Sequence, residues 1–396
     1  MKISFKILIA ICCCAVSLTA QTYHLDVTEL QKGFDELIKF HTDEDNFRGR
    51  VIIDRGGQTI YAKDNGLANF KTKRPYTDTT RFAIASITKS FTAAAILLLE
   101  QDGKLNLDDL IAQHLPQLAK HPDVTINHLL THSAGLSYSS FGMREIMKLG
   151  KGEVNTLSKV LNWIESKYEE PFFPPGEKAQ YSNIGYDILG ALIEKLSGKS
   201  YATFLKSRIF DPLEMTTAEV RPVVVLDDKP GYAIPRLLTW KGRKEKKFSY
   251  AVVAKDYTEP CSAMGSYGIY ISVADLVKLR KLWGTDVLLS SKNRKAYVAS
   301  PELPDGKPNY WRYGCLSTKT PHLESSNIRM GGSQPGFLSF VIFYPEYDLT
   351  IAMVTNSSPM YNRYVFSPNV INNYKEIKPI LYRAFTVEVP EKETEK

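Results

Sequence analysis

Arg81-Phe82-Ala83-Ile84-Ala85-Ser86-Ile87-Thr88-Lys89-Ser90-Phe91-Thr92 leads into an alanine-rich run that reaches Gln101 without glycine or proline. From Ser86 the run predicts a mostly buried helix, stopped by Asp102-Gly103. Residues three apart on a helix share a face, so the Ser86 hydroxyl and the Lys89 amine can meet. A serine hydroxyl is a weak nucleophile unless a base stands beside it. Lysine serves only if burial or neighbouring charge lowers its pKa. The apolar flanks Phe82–Ile84 and Phe91–Ala95 supply burial. The positive end of the helix helps hold the amine neutral and favours a developing oxyanion. Ser86 can thus be a nucleophile with Lys89 as its base, but Ser-x-x-Lys alone is a weak motif that arises by chance in many chains, and the decision falls to its context.

Two further stretches carry chemistry. Tyr181-Ser182-Asn183 is a Y-x-N at a loop-to-helix junction, followed by a clear helix over Asn183–Ser197 that Gly198 closes. Met330-Gly331-Gly332-Ser333-Gln334-Pro335-Gly336-Phe337 is glycine-rich and leads into a strand. With His128-Leu129-Leu130-Thr131-His132-Ser133-Ala134-Gly135-Leu136 and Tyr181-Ser182-Asn183-Ile184-Gly185-Tyr186, these motifs resemble the serine β-lactamase and penicillin-recognising superfamily. The branch is that of class C β-lactamases, D-aminopeptidases and β-lactamase-like carboxylesterases. The resemblance spans about Arg50 to Asn356.

It implies an acyl-enzyme mechanism without metal or organic cofactor. Ser86 would attack the substrate carbonyl and Lys89 would take its proton. Tyr181, with a phenolate stabilised by nearby cations, would pass a proton to the leaving group and later activate water. Asn183 would hold the acyl side of the substrate, close to Lys89. The backbone N–H groups of Ser86 and Ser333 would form the oxyanion hole. The third motif departs from the pattern: the family usually places Lys or His where Met330 stands. That cation binds a substrate carboxylate, which Met330 cannot do, so Met330-Gly331-Gly332 points to a neutral ester or amide. Arg329 is adjacent, but consecutive strand residues face opposite ways.

The implied activity is a serine hydrolase acting on small-molecule or peptide-like esters and amides. The alternatives are a D-amino-acid-specific peptidase or weak β-lactamase and, from a different class, a non-catalytic sensor or binding protein of the same fold. His128 and His132 stand four apart, as metal ligands on a helix can. No H-E-x-x-H accompanies them, so they read as structural. A G-x-S-x-G elbow is absent, which argues against an α/β-hydrolase. Asn356-Ser357-Ser358 is a sequon that chance explains.

The chain has 396 residues, 43% hydrophobic and 23% charged, an ordinary globular composition. Lys2 and Lys6, the apolar run Ile7–Val16 and Thr19-Ala20 form the pattern of a secretory signal peptide over residues 1–20. Cys12, Cys13 and Cys14 raise a lipoprotein variant, but Ile11 stands where a lipobox needs a small residue, which favours plain cleavage and export. Loss of the leader takes 50 basic residues to 48 against 43 acidic ones, a mild charge that gives no case for nucleic acid. Cys261 and Cys315 remain, as a disulfide or as two isolated thiols. No later run approaches the ~18 apolar residues of a membrane span. Oligomeric state is left open by the sequence.

Along residues 21–396, Thr28 and Gln31 predict a capping box for a helix carrying Leu30, Phe34, Leu37 and Ile38. Arg50–Asp54 and Gln58–Lys63 predict a hairpin around Arg55-Gly56-Gly57. Helices are expected from about Leu105 to Met215, with loops such as Pro171–Gly176. The basic Lys241–Lys247 reads as a solvated loop. Phe337–Tyr344 and Leu349–Thr355 predict a second hairpin, and Asn372–Phe385 a closing helix. The expected fold is α+β: an antiparallel sheet flanked by helices and completed by distant segments, with a mostly helical domain inserted, as in β-lactamases and transpeptidases. Substrate choice is expected to lie in the loops Tyr138–Thr156 and Val223–Pro260.

Overall fold

The computed structural model describes residues 23–43, 47–136, 161–162, 164–166, 171–221, 229–241, 245–248, 264–299, 302–320, 325–334, 336–359 and 374–387. The leader, Cys261, the loop 138–156 and much of 223–260 lie outside the described residues.

One six-stranded antiparallel sheet organises the chain, and both ends of the sequence build it. Strands β1 (Gly49–Arg55) and β2 (Gln58–Asn65) precede the helices. Strands β3 (Leu316–Thr320), β4 (Ser325–Gln334), β5 (Phe337–Tyr344) and β6 (Leu349–Thr355) follow them. Their order across the sheet is β2-β1-β6-β5-β4-β3. The β1–β2 hairpin turns through Gly56 (φ +62°) and Gly57 (φ +93°), both left-handed, as a two-residue primed turn requires. The β5–β6 hairpin has the predicted strands, Tyr344 pairing with Leu349.

Both faces of the sheet are covered, which is why β5 and β6 read as continuous apolar runs. Val51, Ile53, Ile342, Tyr344, Ile351 and Met353 point one way, toward helices α1 (Val27–Asp43) and α4 (Tyr374–Ala384). Ile52, Val341, Phe343, Ala352 and Val354 point the other way, into the larger core. That core holds α2 (Thr88–Gln101), buried from Thr88 to Leu99, and α3 (Asn183–Ser197). The Ser182 hydroxyl caps α3 by accepting the Gly185 N–H at 3.1 Å, and Gly198 (φ +67°) ends it.

Two local expectations change. Helix α1 starts earlier than its predicted box, and Asp26 Oδ1 caps it by accepting the Glu29 N–H at 2.9 Å. Thr28 thus falls inside the helix, and Gln31 instead donates to the Ile60 carbonyl in β2 at 2.7 Å. Leu30, Phe34 and Ile38 still form the buried stripe. Of the basic stretch, Lys241 and residues 245–247 lie in strands rather than a loop, and 242–244 lie outside the described residues. Arg236–Lys241 and Glu245–Phe248 pair antiparallel, and Ser357–Pro359 adds a parallel strand. Thr239, Trp240 and Phe248 are strand-favouring residues within the charged run. A further small sheet joins Arg81–Ala83 and Glu219–Val220 to Ile269–Ser272, and its first strand delivers the chain to Ser86. Among the described residues no helix is long and apolar enough to cross a membrane.

Candidate active site

The strand Arg81–Ala83 ends at Ile84, and Ala85 then takes a left-handed backbone (φ +47°). That conformation is rare for a residue with a Cβ and persists only where its surroundings enforce it. Here Ile84 N–H donates to the Ile269 carbonyl at 3.1 Å. The Ile84 carbonyl in turn accepts the Ser339 hydroxyl at 2.7 Å. The reversal leaves Ser86 half-buried in a 3₁₀ turn, Ala85–Ile87, just before α2 rather than inside it as predicted.

The predicted side chains converge. Tyr181 OH donates to Ser86 Oγ at 2.7 Å, and Lys89 Nζ lies 3.4 Å from the same oxygen. Lys89 also donates to Asn183 Oδ1 at 2.7 Å and to the Ser266 carbonyl at 2.9 Å. It is fully buried. Burial pulls its amine down to about 7, against the opposing pull of the Asp187 carboxylate. Burial also raises the Tyr181 phenol, although its bond to Ser86 draws it down; Asp187 adds to the rise. Both shifts favour the uncharged side chains, a phenol at Tyr181 and an amine at Lys89.

Strand β4 closes the cluster from the sheet side. A Cβ at Gly332 would fall 2.0 Å from the Ile84 carbonyl oxygen, so only glycine lets the strand press on the Ser86 turn. Ser333, next in the strand, is thereby held alongside that turn. Met330 is buried (3% exposed) on the Gly332 side, in the larger core. Gly331 and Ser333 alternate to the exposed side. Arg329 Nη1 donates to Thr318 Oγ1 at 2.6 Å and Asn327 Oδ1 at 2.8 Å, facing away from Met330 as expected. It supplies no substitute for the missing cation.

A family model described as Beta-lactamase matches residues 34–366. The chain belongs to the beta-lactamase family. It is 28% identical over 333 residues to penicillin-binding protein 4* of Bacillus subtilis (strain 168), covering 83% of this chain and 71% of that protein. The D-amino acid amidase of Ochrobactrum anthropi SV3 superposes with a TM-score of 0.69 at 22% identity, covering 90% of this chain and 97% of the amidase. EstCE1, a hydrolase with promiscuous acyltransferase activity, gives 0.69 at 19% identity, covering 90% and 99%. Those two likenesses speak to the fold alone.

This beta-lactamase-family site holds residues that the motif reading passed over. Asp187 stands four after Asn183 on α3, where the shared helix face could have signalled it. Its Oδ1 accepts the Ser266 N–H at 3.1 Å, fixing the residue whose carbonyl accepts a hydrogen bond from Lys89. Ser266 itself sits in a short turn with no sequence signal. His132, read as structural, lies against Tyr181 with ring centroids 4.7 Å apart. His128 is elsewhere engaged, its Nδ1 accepting the Thr125 N–H at 3.2 Å in a helix cap. Among the described residues no three His, Cys, Asp or Glu side chains converge as a metal site. Asn356 of the sequon is fully buried, its amide donating to the carbonyls of Leu67, Ala68 and Ile234. Cys315 is a buried free thiol.

Proposed function

We propose that this protein is an exported serine hydrolase that forms an acyl-enzyme at Ser86 with small, neutral esters or amides. The observation that carries the reading is the pair of contacts on one oxygen, Tyr181 at 2.7 Å and the buried Lys89 amine at 3.4 Å. With the phenol neutral and the amine near its transition at about 7, Ser86 accepts from Tyr181 and gives its own proton to Lys89. In acylation Oγ bonds to the carbonyl carbon, Lys89 becomes an ammonium, and Tyr181 hands its proton to the departing alcohol or amine. The resulting phenolate and ammonium stabilise each other. In deacylation the phenolate takes a proton from water, whose oxygen attacks the ester. Ser86 then leaves with the proton held by Lys89, and all three groups return to their starting forms. The N–H groups of Ser86 and Ser333 serve the developing oxyanion.

Met330 supports neutral substrates, since the motif position offers a carboxylate no cation and Arg329 faces away. The leader-like residues 1–20 support export. The test is labelling with a fluorophosphonate, using Ser86→Ala as control, then turnover of a nitrophenyl ester, an amino-acid amide, a D-dipeptide and a chromogenic cephalosporin. The expected result is labelling confined to Ser86 and turnover of ester or amide. Turnover of the cephalosporin alone would overturn the substrate assignment. Stable labelling with no turnover of any substrate would make the protein a sensor instead.

A further inference from the structure

Both chain neighbours of Tyr181 are tied to one residue. The His132 carbonyl accepts the Gln180 N–H at 2.8 Å, and His132 Nδ1 accepts the Ser182 N–H at 3.0 Å. Between those two bonds the Tyr181 ring lies on the imidazole, 4.7 Å away and tilted 36°. Trp311 meets the imidazole edge-on at 5.0 Å, Tyr186 packs at 5.1 Å, and Trp311 also touches Tyr181 at 4.9 Å. Because Nδ1 accepts, the neutral ring carries its proton on Nε2. That nitrogen is buried and has no hydrogen-bond partner among the described residues. Burial, aided by the charge of Lys89, lowers the imidazole pKa well below its ordinary value, so the ring stays uncharged beside the site. The His132 backbone is itself left-handed (φ +58°), which aims the side chain back at residues 180–182.

A side chain that merely filled this space would need no nitrogen; an aliphatic or phenyl group would avoid the unpaired Nε2 but would strand the buried Ser182 N–H. The imidazole is used instead for its acceptor, which grips the amide between Tyr181 and Asn183, the two residues that touch Ser86 and Lys89. We infer that His132 is the positioning residue of the site, holding the Tyr181 phenol on the Ser86 oxygen through a ring contact and a bracket of hydrogen bonds to residues 180 and 182. The inference rests on the reading of Ser86 as an acylating nucleophile. His132 itself touches neither substrate nor reacting atom.

The test uses His132→Asn and His132→Ala in the full chain, each also combined with Tyr181→Phe. Asparagine tolerates the left-handed backbone and offers an acceptor near the place of Nδ1, so it is the variant that keeps the fold. The first readout is the rate of fluorophosphonate labelling at Ser86, with kcat and KM on an ester. A misplacement of about 1 Å can cost about 100-fold, so His132→Ala should fall by about that factor in kcat with KM little changed, and His132→Asn by less. In the Tyr181→Phe background the further loss should be under about threefold, because residues acting through one another are not additive. Labelling of both variants at the wild-type rate overturns the inference, and so does a loss that adds in full to that of Tyr181→Phe. The second readout is a crystal structure of His132→Ala, in which the Tyr181–Ser86 separation should exceed about 3.5 Å, beyond hydrogen-bond reach. An unchanged separation there also overturns it. If the wild-type protein neither labels nor turns over any ester, the acylation reading fails, while the crystallographic distance still judges His132 by itself.

Discussion

The two faces of the central sheet are built from the same strands and spend them differently. Toward α1 and α4, the packing of Phe34, Ile38, Ile351 and Tyr344 is aliphatic and aromatic, and it serves stability. Toward α2 and α3, a fully buried lysine, a buried aspartate and a buried imidazole stand among the apolar side chains. Buried charge is costly unless it is paired and bonded. The second face bears that cost and turns it into a lowered amine pKa. One face can thus be judged by unfolding and the other by turnover.

The contrast should break first at Lys89. Lys89→Met is expected to lose about 10²–10⁴-fold in kcat/KM, the usual contribution of a general base. Its stability should follow the linkage sign. An amine lowered in the folded state binds its proton more readily when unfolded, so wild type should gain on the variant in thermal melts as pH rises from about 7 toward about 10. Phe34→Ala on the opposite face should do the reverse, costing about 3–5 kcal/mol in urea unfolding while kcat of the folded fraction stays as it was. Equal damage to turnover from both variants would erase the distinction between the faces.

Gly332→Ala comes next. The added methyl must push β4 off the Ile84 carbonyl, and a displaced Ser333 N–H should cost about 10²-fold in kcat, read on an ester substrate. The pH profile sharpens the comparison further. The neutral amine is the active form, so kcat/KM should fall about tenfold per unit below an apparent pKa of about 7 and level off above it. Asp187 holds that amine up, so Asp187→Asn should move the rising limb to lower pH. A limb that does not move would separate Asp187 from the lysine. The smallest expected effect belongs to Met330→Lys, a gain of about tenfold on carboxylate-bearing esters, the scale of one charge-assisted contact. No gain would remove the argument that this edge selects neutral substrates.

Much of this was legible because each local signal agreed with the fold it serves. Gly56-Gly57 marks a turn that needs two left-handed residues, Ser182 and Gly198 frame α3, and Ser86, Lys89, Tyr181 and Asn183 meet as their motifs imply. What stayed hidden depends on tertiary context. Ala85 gives no hint of a left-handed backbone, because the bonds from Ile269 and Ser339 impose it. Asp26 rather than Thr28 caps α1, since two good capping residues stand two apart and Gln31 is drawn off to the Ile60 carbonyl. His132 reads as structural in a motif and becomes informative only when Gln180 and Ser182 are seen to donate to it. The strand Arg236–Lys241 also pairs with Ser357–Pro359, more than a hundred residues away, which no local signal shows.

The sheet's assembly from both ends of the chain has a consequence for biosynthesis. A ribosome has delivered Ser86, Lys89, Tyr181 and Asn183 well before it reaches Gly332, and until then nothing presses against the Ile84 carbonyl. The nascent polypeptide therefore carries all its reactive side chains without the wall that makes them a pocket, and competence waits for the strand that carries Gly332.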